Sequence, residues 1–151
     1  MSVKTLTLAW EKTWPLIGAL VSVGVWIYFG KPFPGSPDGL FGAAATVSSI
    51  FASFLGVSKA IILTIKGTPT FKILQEKGYT TFLFAYLRDG IFSSVFFASC
   101  SIIGFFVSGK AIIFHHHLLV MFETVWIFAG ALALLAYVRI SNILFKLLKI
   151  A

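Results

Sequence analysis

Residues 118–137 read LLVMFETVWIFAGALALLAY, twenty positions with one charge, Glu123. A helix crosses a hydrocarbon core of about 30 Å in about 20 apolar residues, so this stretch specifies a membrane span. Working outward, three further stretches have the same character: about Trp14 to Phe29, Leu40 to Ile65, and Gly90 to Val107. The first is short; Thr13 is expected to cap it, with Pro15 in the first helical turn. Between the first and second lies KPFPGSPDG, residues 31–39, whose three prolines and two glycines forbid a continuous helix. The expected fold is all-α, a single membrane domain spanning 1–151 and built as a bundle of four transmembrane helices.

Composition agrees. The chain has 151 residues, 58% hydrophobic and only 11% charged, less than half the charge of an ordinary soluble domain. That excludes a soluble globular enzyme, a disordered tail and a disulfide scaffold. Cys100 is the only cysteine, so no intrachain disulfide forms. No GxGxxG, P-loop, HExxH or CxxC is present, and the five acids (Glu11, Asp38, Glu76, Asp89, Glu123) form no catalytic dyad. No enzyme activity, cofactor or metal site is expected. A cleaved leader over the first span is disfavoured because Tyr28 suits a cleavage site poorly.

The net charge of +7 reads first as orientation. Ten of the twelve basic residues fall on one side of the span plan: Lys4, Lys12, Lys59, Lys66, Lys72, Lys77, Arg88, Arg139, Lys146 and Lys149. Lys31 and Lys110 fall on the other. The positive-inside rule places both termini and the middle connection of this multi-pass chain in the cytoplasm. Direct nucleic-acid binding is not expected. In the middle connection, Thr68-Pro69 reads as a helix start and Gly78 as a stop, bounding an amphipathic helix over 69–77. Thr80 or Thr81 then caps a helix running straight into the third span. The fourth span continues as a basic amphipathic helix over 139–150, with Arg139, Asn142, Lys146 and Lys149 on one stripe. Attraction to anionic lipid explains these basic residues; docking of a soluble cytoplasmic partner on Lys66, Lys72, Lys77, Arg139, Lys146 and Lys149 is the functional alternative.

Small residues recur four apart: Ser48, Ala52, Gly56 and Ala60 in the second span, and Gly90, Ser94 and Ala98 in the third. Ala45, Ser49 and Ser53 form a neighbouring stripe. Such spacing lets backbones approach closely in lipid. It serves packing within one chain or a subunit interface, and a small cyclic homo-oligomer is the natural assembly. Trp10, Trp14, Tyr79, Tyr86 and Tyr137 gather near one membrane interface as an aromatic belt. His115-His116-His117 is a conspicuous polar cluster, read as an interfacial turn because three consecutive helical residues do not converge on one metal. Glu123 is the only acid well inside a span, and His116, seven residues earlier, shares its face. An intramembrane acid is a candidate for sensing, gating or subunit contact.

The span plan, with its basic middle segment LTIKGTPTFKILQEKGY (residues 63–79), resembles small four-span bacterial membrane proteins of anti-phage systems, most of all the membrane subunits of Kiwa-type systems. Membrane effectors of cyclic-nucleotide signalling systems are similar in outline. The Kiwa-type resemblance implies a homotetramer in the inner membrane that senses infection and recruits a soluble, DNA-acting partner. It rests on the overall plan and assigns no residue roles. The competing expectation is a pore-forming effector or channel, with the aligned Ser and Thr of the second span lining a wet path. An accessory subunit of a larger membrane complex is a third.

Overall fold

In the computed structural model, the long helices among the described residues are α1 (Val3–Tyr28), α2 (Asp38–Thr64), α3 (Tyr79–Ser108) and α4 (His116–Ile150). The structure describes residues 3–64, 71, 75, 76, 78–108 and 116–150, and no strand occurs among them. Three helices are long and apolar enough to cross a membrane, over Asp38–Thr64, Thr80–Val107 and His117–Phe145. The chain is therefore a membrane-spanning helical protein, with three such spans where the sequence led us to expect four. The helix that falls short is α1. Glu11, Lys12 and Thr13 break its apolar run, leaving Leu16–Ile27 as the strongly apolar part, about 18 Å at 1.5 Å per residue.

The start of α1 also differs from expectation. Thr13 does not cap the helix, and Pro15 is not in its first turn; the helix begins at Val3, and Pro15 lies in its interior. The end of α1 is sharply defined. Gly30 and Lys31 both take positive φ, 80° and 58°. The Lys31 amide donates to the Trp26 carbonyl (3.0 Å) and the Gly30 amide to that of Ile27 (3.1 Å), a Schellman motif that satisfies the last carbonyls of the helix. The Trp26 indole then donates to the Pro32 carbonyl at 3.0 Å, fixing the connector to α2. Of the expected 69–77 helix, Phe71, Gln75 and Glu76 are described and helical; Phe71 is buried while Gln75 and Glu76 are exposed. Gly78 (φ 71°) donates its amide to the Gln75 carbonyl.

The helices form a row rather than a closed bundle. α2 packs along α3, α3 along α4, and α4 along α1; α2 meets α4 only narrowly, and α1 packs on neither α2 nor α3. That contact is made by aromatic rings: Phe51 stacks on Tyr137, with ring centroids 4.3 Å apart, and Phe41 packs edge to face on Phe122 and Trp126. An open row is physically reasonable in lipid, where apolar faces gain nothing by hiding from hydrocarbon and close packing must hold the helices together. Two clusters of buried side chains result. One, at the end near the connector, joins Phe41, Phe97, Cys100, Trp126, Ala129 and Ala133. The other, at the opposite end, joins Leu55, Ile62, Phe71, Leu83, Leu87 and Ile140.

Glycine sets the closest approaches. A Cβ on Gly90 would collide with Ile140 of α4 and lie 2.9 Å from Leu55 Cδ1 of α2, so three helices meet at this position. A Cβ on Gly104 would lie 2.8 Å from the Phe41 ring. Within the first cluster, Trp126 of α4 donates to Ser101 Oγ of α3 at 3.0 Å, and that hydroxyl donates to the Phe97 carbonyl at 2.9 Å, a fully satisfied buried relay.

Gly90→Leu should lower the unfolding free energy by about 1–3 kcal/mol, the usual cost of overpacking. Gly56→Leu, whose new Cβ would meet nothing within 4 Å, should change the stability of the single chain by less than about 0.5 kcal/mol. Denaturant titration of both variants in detergent micelles measures the difference.

Candidate functional site: the two ends of α4

α4 is one helix of 35 residues, and each of its ends holds an ionisable side chain in the protein. At the end near the connector, Glu123 is only 8% exposed. It borders a cavity of about 240 Å³ whose walls include Phe33 and Pro37 of the connector, Phe41 of α2, Gly104 of α3 and Phe122 of α4. The rings are arranged edge to face or tilted around Phe41: Phe33 at 6.0 Å and Phe122 at 6.1 Å between centroids, with Trp126 behind at 5.6 Å. Gly104 makes room for the Phe41 ring, which closes the cavity on the α3 side. Glu123 is the only ionisable side chain among the described residues that line it.

Sixteen residues further along α4, Arg139 is 7% exposed. Its guanidinium lies over the Tyr86 ring of α3, 4.2 Å from the centroid, a cation–π contact. Its Nη1 donates to the Glu11 and Lys12 carbonyls of α1 at 3.3 and 3.4 Å. Pro15 explains why the first carbonyl is available. Proline has no N–H, so the carbonyl four residues before it loses its in-helix donor, and Arg139 supplies one. Pro15 is itself buried. The two bonds are longer than the 2.7–2.9 Å or so of a good charge-assisted pair, and Arg139 Nε finds no acceptor among the described residues. The arrangement clasps α1 to α4 with α3 as a backing ring. Arg139, which the sequence groups with the basic docking stripe, is turned inward within the single chain.

The other residues singled out by sequence are distributed as follows. Lys66, Lys72, Lys77 and His115 lie outside the described residues. His116, Lys146 and Lys149 belong to α4, but their side chains lie outside the described ones. Gly90 and Ser94 are buried between helices and Ala98 is half-buried; the Ser94 hydroxyl donates to the Gly90 carbonyl at 2.9 Å. The Ser48–Ala60 stripe divides. Ser48 is fully buried and Ala52 half-buried, whereas Gly56 and Ala60 are exposed. Spacing by four drifts about 40° per step around a helix of 3.6 residues per turn, so twelve residues carry the stripe round by about a third of a turn. A different set stays on one face: Gly42, Thr46, Ser49, Ser53, Gly56 and Ala60, spaced four, three, four, three, four. From Thr46 onward these residues are exposed, and several line a shallow groove along α2. The sequence held this seven-residue pattern; only exposure distinguishes it from the stripes used for internal packing. Arg88 pairs with Asp89 at 3.6 Å on the exposed side of α3. Among the described residues, no group of three His, Cys, Asp or Glu is placed to hold a metal ion.

Comparisons with protein-family models, curated proteins and solved structures find no match to this chain.

Arg139→Lys keeps the charge but loses the flat fork that stacks on Tyr86 and reaches the α1 carbonyls. The variant should be about 1–3 kcal/mol less stable, with α1 cleaved first by a protease added to the micelle-bound protein. Tyr86→Leu, which removes only the ring face, should cost about 0.5–2 kcal/mol. Equal protease resistance of α1 in wild type and both variants would dismiss the clasp.

Proposed function

We propose that this chain is a homo-oligomeric sensor and docking protein of a bacterial inner membrane, in which α1 supplies a fourth crossing and both termini face the cytoplasm. The observation that carries the reading is α4 itself. One uninterrupted helix bears a carboxylate in a cavity near the connector, the Arg139 clasp beyond it, and a tail with Lys146 and Lys149. A rigid element of this kind links a change at the cavity to the position of its basic tail, where a soluble partner docks. Anti-phage defence of the Kiwa type, with a tetramer as its assembly, is the biological setting that the span plan favours.

Self-association is supported by the outward face of α2. Small and hydroxylated residues at four-three spacing match the seven-residue period by which two helices wind around each other with a left-handed twist. At 26 residues, α1 is about 39 Å long, enough to reach across the bilayer even with its polar interruption.

Native mass measurement of the detergent-solubilised chain should give a small multiple of 16.5 kDa. Gly56→Leu should lower that mass while preserving helix content; a monomeric wild type would remove the oligomeric reading. For the docking function, replacing Lys146 and Lys149 by Glu should reduce co-purification of a soluble protein encoded beside this one by at least about tenfold, and unchanged recovery counts against it.

A pore-forming effector is a second reading, favoured by the exposed hydroxyl-bearing residues Thr46, Ser49 and Ser53 on one face of α2. It predicts dye leakage from liposomes loaded with the purified protein, abolished by Ser49→Leu with Ser53→Leu. Tight liposomes at saturating protein would dispose of it.

A further inference from the structure

The cavity beside Glu123 has a chemistry that the sensor reading leaves unnamed. Its walls are three aromatic rings, two prolines, two glycines and the aliphatic Val107 and Leu119, its volume is about 240 Å³, and its one ionisable group among the described lining residues is a carboxylate. Pockets for drug-sized ligands span roughly 300–1,000 Å³, so the occupant here is small. A carboxylate in the wall favours a cation over an anion. Divalent metal ions of the calcium and magnesium type require about six oxygen ligands, whereas a single carboxylate among rings supplies too few. A cation whose charge is clothed in carbon suits both components of the wall. Its positive centre is attracted to the carboxylate and to the negative faces of aromatic rings, and its alkyl groups fill the remaining hydrocarbon surface.

We propose that the Glu123 cavity binds a small organic ammonium ion, held between the Glu123 carboxylate and the rings of Phe33, Phe41 and Phe122. On entry the ammonium takes up the carboxylate in exchange for the contact it holds in the resting fold. The cavity is a half-open cleft lined by the connector, α2, α3 and α4, so an occupant contacts each of these elements. The same head group occurs in soluble amines and in ethanolamine phospholipids. This assignment deepens the sensor reading and rests on it for its biological consequence, though the binding itself is measurable without a partner.

The test uses the full chain in nanodiscs of phosphatidylglycerol, titrated with tetramethylammonium or ethylammonium chloride against sodium chloride of equal ionic strength. Readouts are the thermal midpoint and tryptophan emission, to which Trp126 behind the cavity contributes. A saturable response to the ammonium salts alone is expected. Glu123→Gln should weaken it by at least about tenfold, the loss of about 1.4 kcal/mol. Phe122→Leu, which keeps the carboxylate, should weaken it by a smaller factor and stands as the measurement should Glu123→Gln fail to fold. Repetition in phosphatidylethanolamine nanodiscs distinguishes the sources: a lower apparent affinity for the free amine identifies the lipid head group as the competitor, and an unchanged one identifies a soluble amine. No saturable response, an equal response to sodium, or a response undiminished in both variants overturns the site. If the amine binds but partner recovery is indifferent to it, the sensor reading fails while the site remains.

Discussion

Three helices meet at Gly90, and the packing of α2, α3 and α4 is organised around that crossing. In lipid, an apolar side chain has no reason to prefer a neighbouring helix to an acyl chain; what holds helices together is the dispersion gained when backbones come close. The missing side chain at Gly90 lets Leu55 of α2 and Ile140 of α4 press against the α3 backbone from two directions. With that point fixed, α3 becomes the spine of the row. Phe41 settles against Gly104 towards one end, and Leu87 is buried near the other.

α1 stands outside this arrangement and is held by different physics. It packs on α4 alone, and its attachment includes a polar contact, the bond from Arg139 to carbonyls beside a proline-induced gap. A buried guanidinium is costly unless its donors are occupied. The cost here is offset in part from two sides, by the Tyr86 ring and by the Glu11 and Lys12 carbonyls, while Nε stays without an acceptor among the described residues. Each partner answers a deficiency in another: the proline strands an acceptor, and the arginine needs one.

This interdependence explains what the sequence made legible. The uninterrupted apolar runs told their own story, because span length depends only on local composition; α2 at 38–64 lies within two residues of its expected 40–65. Fusion of the fourth span with the basic 139–150 segment into α4 followed from a continuous helical period. Pro15 misled because its placement depends on Arg139, more than 120 residues away, and a residue's local preference carries no trace of such a partner. Arg139 misled for the complementary reason: three-four spacing put it on a polar stripe, and only tertiary contact shows it turned inward. The Glu123 cavity was half visible. The acid stood out in an apolar run, but the rings around it come from three different stretches of chain.

The length of α4 sets a geometric condition on the whole protein. The whole helix, His116–Ile150, measures about 52 Å at 1.5 Å per residue, against a hydrocarbon core of about 30 Å. A helix that exceeds its bilayer must lean, bend or project from it. Leaning displaces the tail sideways, and the same crossing angle sets how far Glu123 lies below the opposite surface. The part of α4 that does not fit the hydrocarbon core is its basic end, so the helix carries Lys146 and Lys149 clear of the bilayer in the same rigid rod that holds Glu123.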